Sequence, residues 1–306
     1  MKILVTGATG FLGRFLCPRL SAAGHEVVGL GSGTADLTRD GWHKVIEDQQ
    51  FQRIFHLAAW TQAGDFCLRH PGEQWLINQK INTNVLAWWQ SRQPQAKLIC
   101  MGTSCSYDPR LPLSEEHYLE GTPETSLYTY AMTKRMLLVG LRALEKQYGL
   151  RFLYTVPSTL YGPEYHADGR QMHFIFDLMA KILRGKLRGE KVVLWGDGRQ
   201  KRELMHVRDF VGALLELSRT CDNEVVNVAS GREYTIREYA AMICGIVGYD
   251  PALIEYDTDR YVGVTSKWLS NAKLKALLPG LEFTPLDEGL AETVDWLRQH
   301  AEVLVR

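Results

Sequence analysis

The chain opens on a β-rich run, Lys2 to Thr6, that passes straight into Gly7-Ala8-Thr9-Gly10-Phe11-Leu12-Gly13 and then into a helix-like stretch from Phe11 to Ala23. A strand turning through spaced glycines into a helix restricts the possible folds more than any other feature here. Without a Cβ the backbone can turn tightly and let another group approach it, and the unpaired N–H groups of a helix start favour an anion. The pattern has two uses: a plain strand-to-helix turn, or a seat for the pyrophosphate of a dinucleotide. The rest of the sequence has to choose between them.

The first half alternates short strands with helices. Compact β-rich runs lie at Lys2 to Thr6, Glu26 to Leu30, Arg53 to Leu57, Lys97 to Met101 and Arg151 to Val156, and helical patterns at Phe11 to Ala23, Gly72 to Gln90 and Leu127 to Tyr148. Strands separated by helices of that length pair in parallel, with helices on both faces. After Pro157 the rhythm changes. A turn-rich segment runs from Tyr161 to Gln171, followed by a helix from His173 to Arg188 and a strand from Val192 to Trp195. Further on come a strand from Asn223 to Val228, a helix from Ile236 to Val247 and a terminal helix from Leu290 to Gln299. This predicts an α/β doubly wound parallel sheet over 1–160, with a stretch near 204–230 returning to it, and a smaller α/β substrate-binding lobe over 161–306.

Bulk properties exclude several roles. Lys and Arg together number 35, as do Asp and Glu, so no net field gathers nucleic acid or an anionic membrane. The apolar run at the N-terminus ends at Gly7, too soon for a secretory signal, and no stretch is long enough to span a bilayer. The six cysteines, at 17, 67, 100, 105, 221 and 244, lack the spacing of a zinc site or the density of a disulfide framework. A cytoplasmic protein with no metal is expected.

Three further motifs carry chemistry. Tyr130 and Lys134 stand four residues apart, on one helix face, where an ammonium would lower the phenol's pKa and equip it to exchange a proton near neutral pH. The second strand ends in Gly29-Leu30-Gly31-Ser32-Gly33-Thr34, where an NAD enzyme would place an acid for the ribose; its absence leans toward NADP(H), with NAD(H) open through Asp36, and Arg14 could meet a 2′-phosphate. The loop leaving the fourth strand reads Gly102-Thr103-Ser104-Cys105-Ser106-Tyr107. Tyr and Lys one turn apart, or a single Cys after a strand, also occur as ordinary helix surface and core.

Taken in order, the glycine loop, His56-Leu57-Ala58-Ala59, Tyr130 with Lys134, Tyr161-Gly162-Pro163 and Arg202 to Asp209 resemble the extended short-chain dehydrogenase/reductase family of the NAD-dependent epimerase/dehydratase type, over nearly the whole length. The resemblance implies a Rossmann-type fold and a nucleotide-sugar substrate. Thr-Ser-Cys at 103 to 105 replaces the Thr-Asp-Glu of the dehydratases and is similar to the Ser-Ser-Cys loop of GDP-L-fucose synthases. His173 falls where that branch carries its second acid/base residue.

That branch implies C3/C5 epimerisation of an NDP-4-keto-6-deoxy sugar by Cys105 and His173, the imidazolium favouring a thiolate, and hydride transfer at C4. Tyr130, Lys134 and Thr103 would serve the C4 oxygen. The cofactor would meet Gly7, Thr9, Gly10, Phe11, Leu12, Gly13, Leu57, Ala58, Ala59, Tyr130, Lys134 and Pro157; the substrate would meet Lys181, Trp195, Arg202 and Lys267. Asn78 and Asn84 match asparagines of the branch, Asn84 supporting packing or a backbone kink. Thr159 and Lys181 depart from its phosphate-binding asparagine and arginine, which loosens the assignment of GDP. A homodimer is implied by the family alone. Other readings are an NDP-sugar 4-epimerase with tightly held NAD, an epimerase-only or reductase-only relative, and a non-catalytic dinucleotide-binding module.

Overall fold

A computed structural model describes residues 1–61, 66–166, 171–260 and 264–300. Through the first half the chain runs β1 (Lys2–Thr6), α1 (Phe11–Ala22), β2 (Glu26–Leu30), β3 (Arg53–His56), α2 (Phe66–Arg69), α3 (Pro71–Arg92), β4 (Lys97–Met101), α4 (Tyr128–Tyr148) and β5 (Phe152–Pro157). It continues through β6 (Thr159–Tyr161), α5 (Phe174–Arg188), β7 (Val192–Trp195), β8 (Lys201–His206), α6 (Val207–Thr220) and β9 (Glu224–Val228). The last elements are β10 (Glu233–Thr235), α7 (Ile236–Val247), β11 (Ile254–Asp257), α8 (Ala272–Leu277) and α9 (Leu286–Gln299).

The main sheet has six strands in the order β2-β1-β3-β4-β5-β9, all parallel. Its strands are apolar on both faces because helices cover both. Alternation along each strand divides the core in two: Leu4, Ile54, Leu98 and Phe152 face α3 and α4, where they meet Trp88, Trp89, Leu138 and Leu141. Ile3, Val5, Phe55, Ile99 and Leu153 face α1 and α6, against Leu16, Leu20, Phe210 and Leu214. Each such side chain, wholly withdrawn from water, contributes about 1.5–3 kcal/mol. This is the doubly wound Rossmann-type sheet the sequence predicts.

A third apolar cluster builds the smaller lobe from α5, α7 and α9. Helix α7 is delimited by its own sequence: Thr235 and Glu238 form a reciprocal capping box, and Gly248 at φ 72° closes the other end. Strands β10, β8 and β6 form one small sheet and β11 with β7 another. The turn-rich stretch expected from Tyr161 begins inside β6, and its residues 167–170 lie outside the described residues. His173 is the residue capping α5 and not its first turn. Among the described residues no helix is long and apolar enough to cross a membrane.

The order of the main sheet reverses beside β1, which pairs with β2 on one side and β3 on the other. The crevice beyond the carboxyl ends of strands at such a reversal is where doubly wound sheets bind ligands.

Candidate active site

The glycine loop fills that crevice. Gly7 has φ +73°, and a Cβ placed on it would stand 2.8 Å from the Ala58 backbone nitrogen, while one on Gly13 would strike the carbonyls of Gly7 and Ala8. Gly10 caps α1 without a side-chain oxygen, so the first amides of α1, from Phe11, Leu12 and Gly13, are left for an anion. These backbone constraints suit a pyrophosphate, with Thr9, Leu57, Ala58 and Ala59 on the loops around it. The end of β2 explains the missing acid. A Cβ on Gly29 would lie 2.9 Å from that of Ala8, and one on Gly31 would lie 2.7 Å from the Thr9 hydroxyl oxygen. Asp36 is engaged locally, accepting from Thr38 N at 3.0 Å and Thr38 Oγ1 at 2.6 Å and pairing with Arg39 at 3.0 Å. Arg14 is exposed on α1.

Two side chains brace the loop after β3. Asn78 accepts from Trp60 N and donates to Trp60 O, both at 2.9 Å. His56 is buried between Thr6 Oγ1 at 2.8 Å and Asn82 Oδ1 at 3.3 Å, and burial, with the nearby Lys134 charge, lowers its pKa to about 4. Asn84 donates to Leu37 O at 2.8 Å, tying α3 to the segment after β2.

Helix α4 brings Tyr130 and Lys134 to one face, with Lys134 Nζ 5.9 Å from the Tyr130 ring centroid. The sequence argument that the ammonium lowers the phenol's pKa is overturned. Burial dominates and, with Cys105, Cys67 and Tyr118 nearby, pushes Tyr130 well above the ordinary tyrosine value of 10. Burial also lowers Lys134 to about 8. Tyr130 therefore rests as a protonated phenol, a proton donor.

Thr103 and Cys105 follow β4, and Pro157 ends β5. Thr103 Oγ1 accepts from Cys105 N at 3.3 Å, which sets the turn and leaves the hydroxyl proton available. A buried tyrosine pair invisible to the sequence reading ties this turn to α4. Thr103 N donates to Tyr118 Oη at 3.3 Å, Tyr118 and Tyr154 hydroxyls meet at 3.0 Å, and Tyr154 donates to Lys134 O at 2.7 Å.

The half-buried sulfur of Cys105 has a neighbour the sequence reading assigned elsewhere. Lys267, expected at a diphosphate, donates from Nζ to Cys105 Sγ at 3.1 Å. His173, at the start of α5, has its pKa lowered by its crowded position and by Lys267. His173 is exposed, so water also reaches its imidazole. The charge beside the sulfur is thus the Lys267 ammonium; the imidazolium expected there gives way to a neutral imidazole.

Lys267 and Ser104 stand between two open cavities. One is walled by Cys105, Tyr107, Glu124 and Ser266. The other is walled by Ser158, Thr159, Arg202 and Glu203. His173 is in the wall of neither. Arg202 also donates to Val264 O at 2.8 Å. Farther out, the exposed Trp195 ring lies between Lys181 Nζ at 5.7 Å and the Arg260 guanidinium at 5.4 Å, and Lys181 pairs with Asp177 at 2.8 Å. Lys181 and Trp195 thus contact each other, and neither lines the two cavities.

Comparison with known proteins bears on this arrangement. The family model of the NAD dependent epimerase/dehydratase family matches residues 3–229. The chain is 30% identical over 305 residues to a GDP-L-fucose synthase of Arabidopsis thaliana, covering 96% of this chain and 92% of that protein. It is 28% identical over 321 residues to a dTDP-4-dehydro-6-deoxy-D-allose reductase of Streptomyces, covering 97% of this chain and 96% of the relative. Among solved structures, a GDP-L-fucose synthetase from Naegleria fowleri bound to NADP superposes with a TM-score of 0.86 at 26% identity, over 98% of this chain and 95% of that one.

Proposed function

Because this chain belongs to the NAD dependent epimerase/dehydratase family, we propose that it is an NADP(H)-dependent enzyme that epimerises a nucleotide-linked 4-keto-6-deoxy sugar at C3 and C5 and reduces its C4 ketone. One observation carries the reading: the Lys267 ammonium contacts Cys105 Sγ at 3.1 Å, with Tyr130 and Lys134 on α4 and His173 at the start of α5 as the other candidate groups.

A C4 ketone acidifies the C–H bonds on either side of it. His173, neutral at rest, takes a proton from one face of such a carbon, and the Cys105 thiol delivers one to the other, which inverts the centre. When bound, the dinucleotide supplies the hydride to C4. Tyr130, kept protonated by burial, gives its proton to the C4 oxygen, while the Thr103 hydroxyl and the Lys134 ammonium stabilise the charge that gathers there. The backbone around Gly7 to Gly13, with Leu57 to Ala59 and Pro157, holds the cofactor. NADP(H) is favoured by the Naegleria fowleri relative and by the crowding of Gly31 against Thr9, which bars a ribose-binding acid. Arg202 and Lys181 face the substrate's phosphates and Trp195 its base. GDP is the preferred nucleotide, from the fucose synthase relatives.

The test is NMR in deuterated water with a GDP-linked 4-keto-6-deoxy sugar, with and without NADPH. Deuterium should enter C3 and C5 without NADPH, and C4 should be reduced only when it is present. Cys105→Ser should stop the first process and leave reduction of an already epimerised ketone. The Streptomyces relative, named as a reductase, supports a second reading in which only C4 is reduced; wild-type protein that oxidises NADPH without any deuterium uptake would establish it. Absence of both processes would remove the function.

A further inference from the structure

The mechanism leaves Cys105 with an unfinished cycle. Each time the sulfur gives up or takes a proton it must exchange one with water before the next turnover. The sulfur is only half exposed, and the contact it makes through a polar hydrogen is with Lys267 Nζ at 3.1 Å. The backbone carrying Lys267 is firmly held. Arg202 Nη1 donates to Val264 O at 2.8 Å and Lys201 N to Thr265 O at 2.7 Å. On the other side of Lys267, Leu269 N donates to the buried Glu203 carboxylate at 2.9 Å, and Ser270 is bonded through N to Leu113 O at 2.9 Å. These bonds hold the segment beside the Cys105 turn, where the Lys267 side chain reaches the sulfur. The same residue lines both cavities while its ammonium touches the sulfur.

We propose that Lys267 is a catalytic residue, the proton conduit between the Cys105 sulfur and cleft water. When the Cys105 S–H delivers its proton to the sugar carbon, one N–H of the Lys267 ammonium breaks and a new S–H forms. The neutral amine then takes a proton from water, leaving hydroxide to the bulk. In the opposite direction of epimerisation each transfer reverses: the sulfur gains the carbon-bound proton and passes it through Nζ to water. No redox change or co-reactant is involved. The inference rests on the epimerase reading of Cys105 and adds a residue to it.

An isotope trap tests it. Enzyme equilibrated in ordinary water is mixed rapidly into deuterated water containing a GDP-linked 4-keto-6-deoxy sugar, and the protium delivered to C3 and C5 of the first product is counted. In the wild type the sulfur's proton should wash out through Lys267, leaving little protium. Lys267→Met should carry at least three times more protium into the first product and turn over about tenfold more slowly at saturating sugar. Lys267→Arg is the decisive control, because a guanidinium keeps the charge but does not release a proton at working pH. It should behave like Lys267→Met.

Recovery of both wild-type properties in Lys267→Arg would mean that charge alone matters, and the conduit would be discarded. A raised KM with an unchanged protium count in Lys267→Met would make the residue a substrate anchor, again overturning the proposal. Failure of the underlying reading looks different: Cys105→Ser would then exchange deuterium as fast as the wild type, whatever the Lys267 variants do.

Discussion

At the residue scale, Lys134 shows function and stability pulling in opposite directions. Its ammonium is 5% exposed on α4, and burial lowers its pKa from 10.5 to about 8. At pH 7 both the folded and the unfolded chain carry the charge, so the folded state bears the full desolvation cost, on the order of 3 kcal/mol. That cost disappears only as pH rises from about 8 through 10.5. Lys134→Met keeps the length and apolar body of the side chain and removes the charge. The variant is expected to be about 1–3 kcal/mol more stable in urea unfolding at pH 7, and to reduce the ketone roughly 100-fold more slowly because Tyr130 loses its electrostatic support. A variant no more stable than the parent would show that the ammonium has compensating partners.

At the scale of elements, the contact between the β1–α1 loop and the end of β2 sets cofactor choice through shape before charge enters. A Cβ on Gly31 would stand 2.7 Å from Thr9 Oγ1 and 2.9 Å from Thr9 Cγ2. Gly31→Ala is therefore expected to weaken NADPH binding at least tenfold, and adding Thr9→Gly should restore most of it, a non-additivity measurable by titration of bound-cofactor fluorescence. Equal losses in the single and double variants would remove the steric explanation. The sequence showed that the acid was missing but not why, since the cause is a contact across twenty-two positions. Local patterns served best where one period rules a whole element: β1, β2, β4 and β7 have the bounds their residues suggest, as does α7 with its capping box. Helix α6 carries Val207, Phe210, Val211, Leu214 and Leu217 at helical spacing, but its start lies inside Arg202 to Asp209, whose resemblance to a family signature masks a strand running into a helix. Likewise Cys105 and Lys267 are each visible as chemistry, but only the fold brings them together over 162 positions. Tyr118 and Tyr154 have no local signal at all, and Glu203 lies within the Arg202 to Asp209 signature without any sign of its partners Leu269 and Gly231 on other elements.

Over the whole molecule, two buried groups set opposing trends in stability with pH. His56 is buried as the neutral imidazole with a pKa of about 4 against 6.5 when exposed, so between those values the unfolded chain binds more protons and stability rises with pH. Glu203, buried beneath the segment that carries Lys267, is raised to about 7 from 4.5 despite accepting from Leu269 N and Gly231 N. There the folded chain binds more protons, and stability falls as pH rises across that window. From pH 4.5 to 6.5 the two nearly cancel, each amounting to about 2–3 kcal/mol. Replacing either one should uncover the other. Glu203→Gln loses part of its anchoring and is less stable throughout, but its stability relative to the wild type should increase by about 2–3 kcal/mol from pH 4.5 to 6.5. His56→Gln should drift by a similar amount in the opposite direction. Taking each difference from the wild type at the same pH removes the contributions of the other titrating groups, so urea unfolding at three pH values suffices. Differences that stay constant with pH would mean that neither group changes its proton affinity on folding, and the buried carboxylate under Lys267 would then titrate at its ordinary value of 4.5.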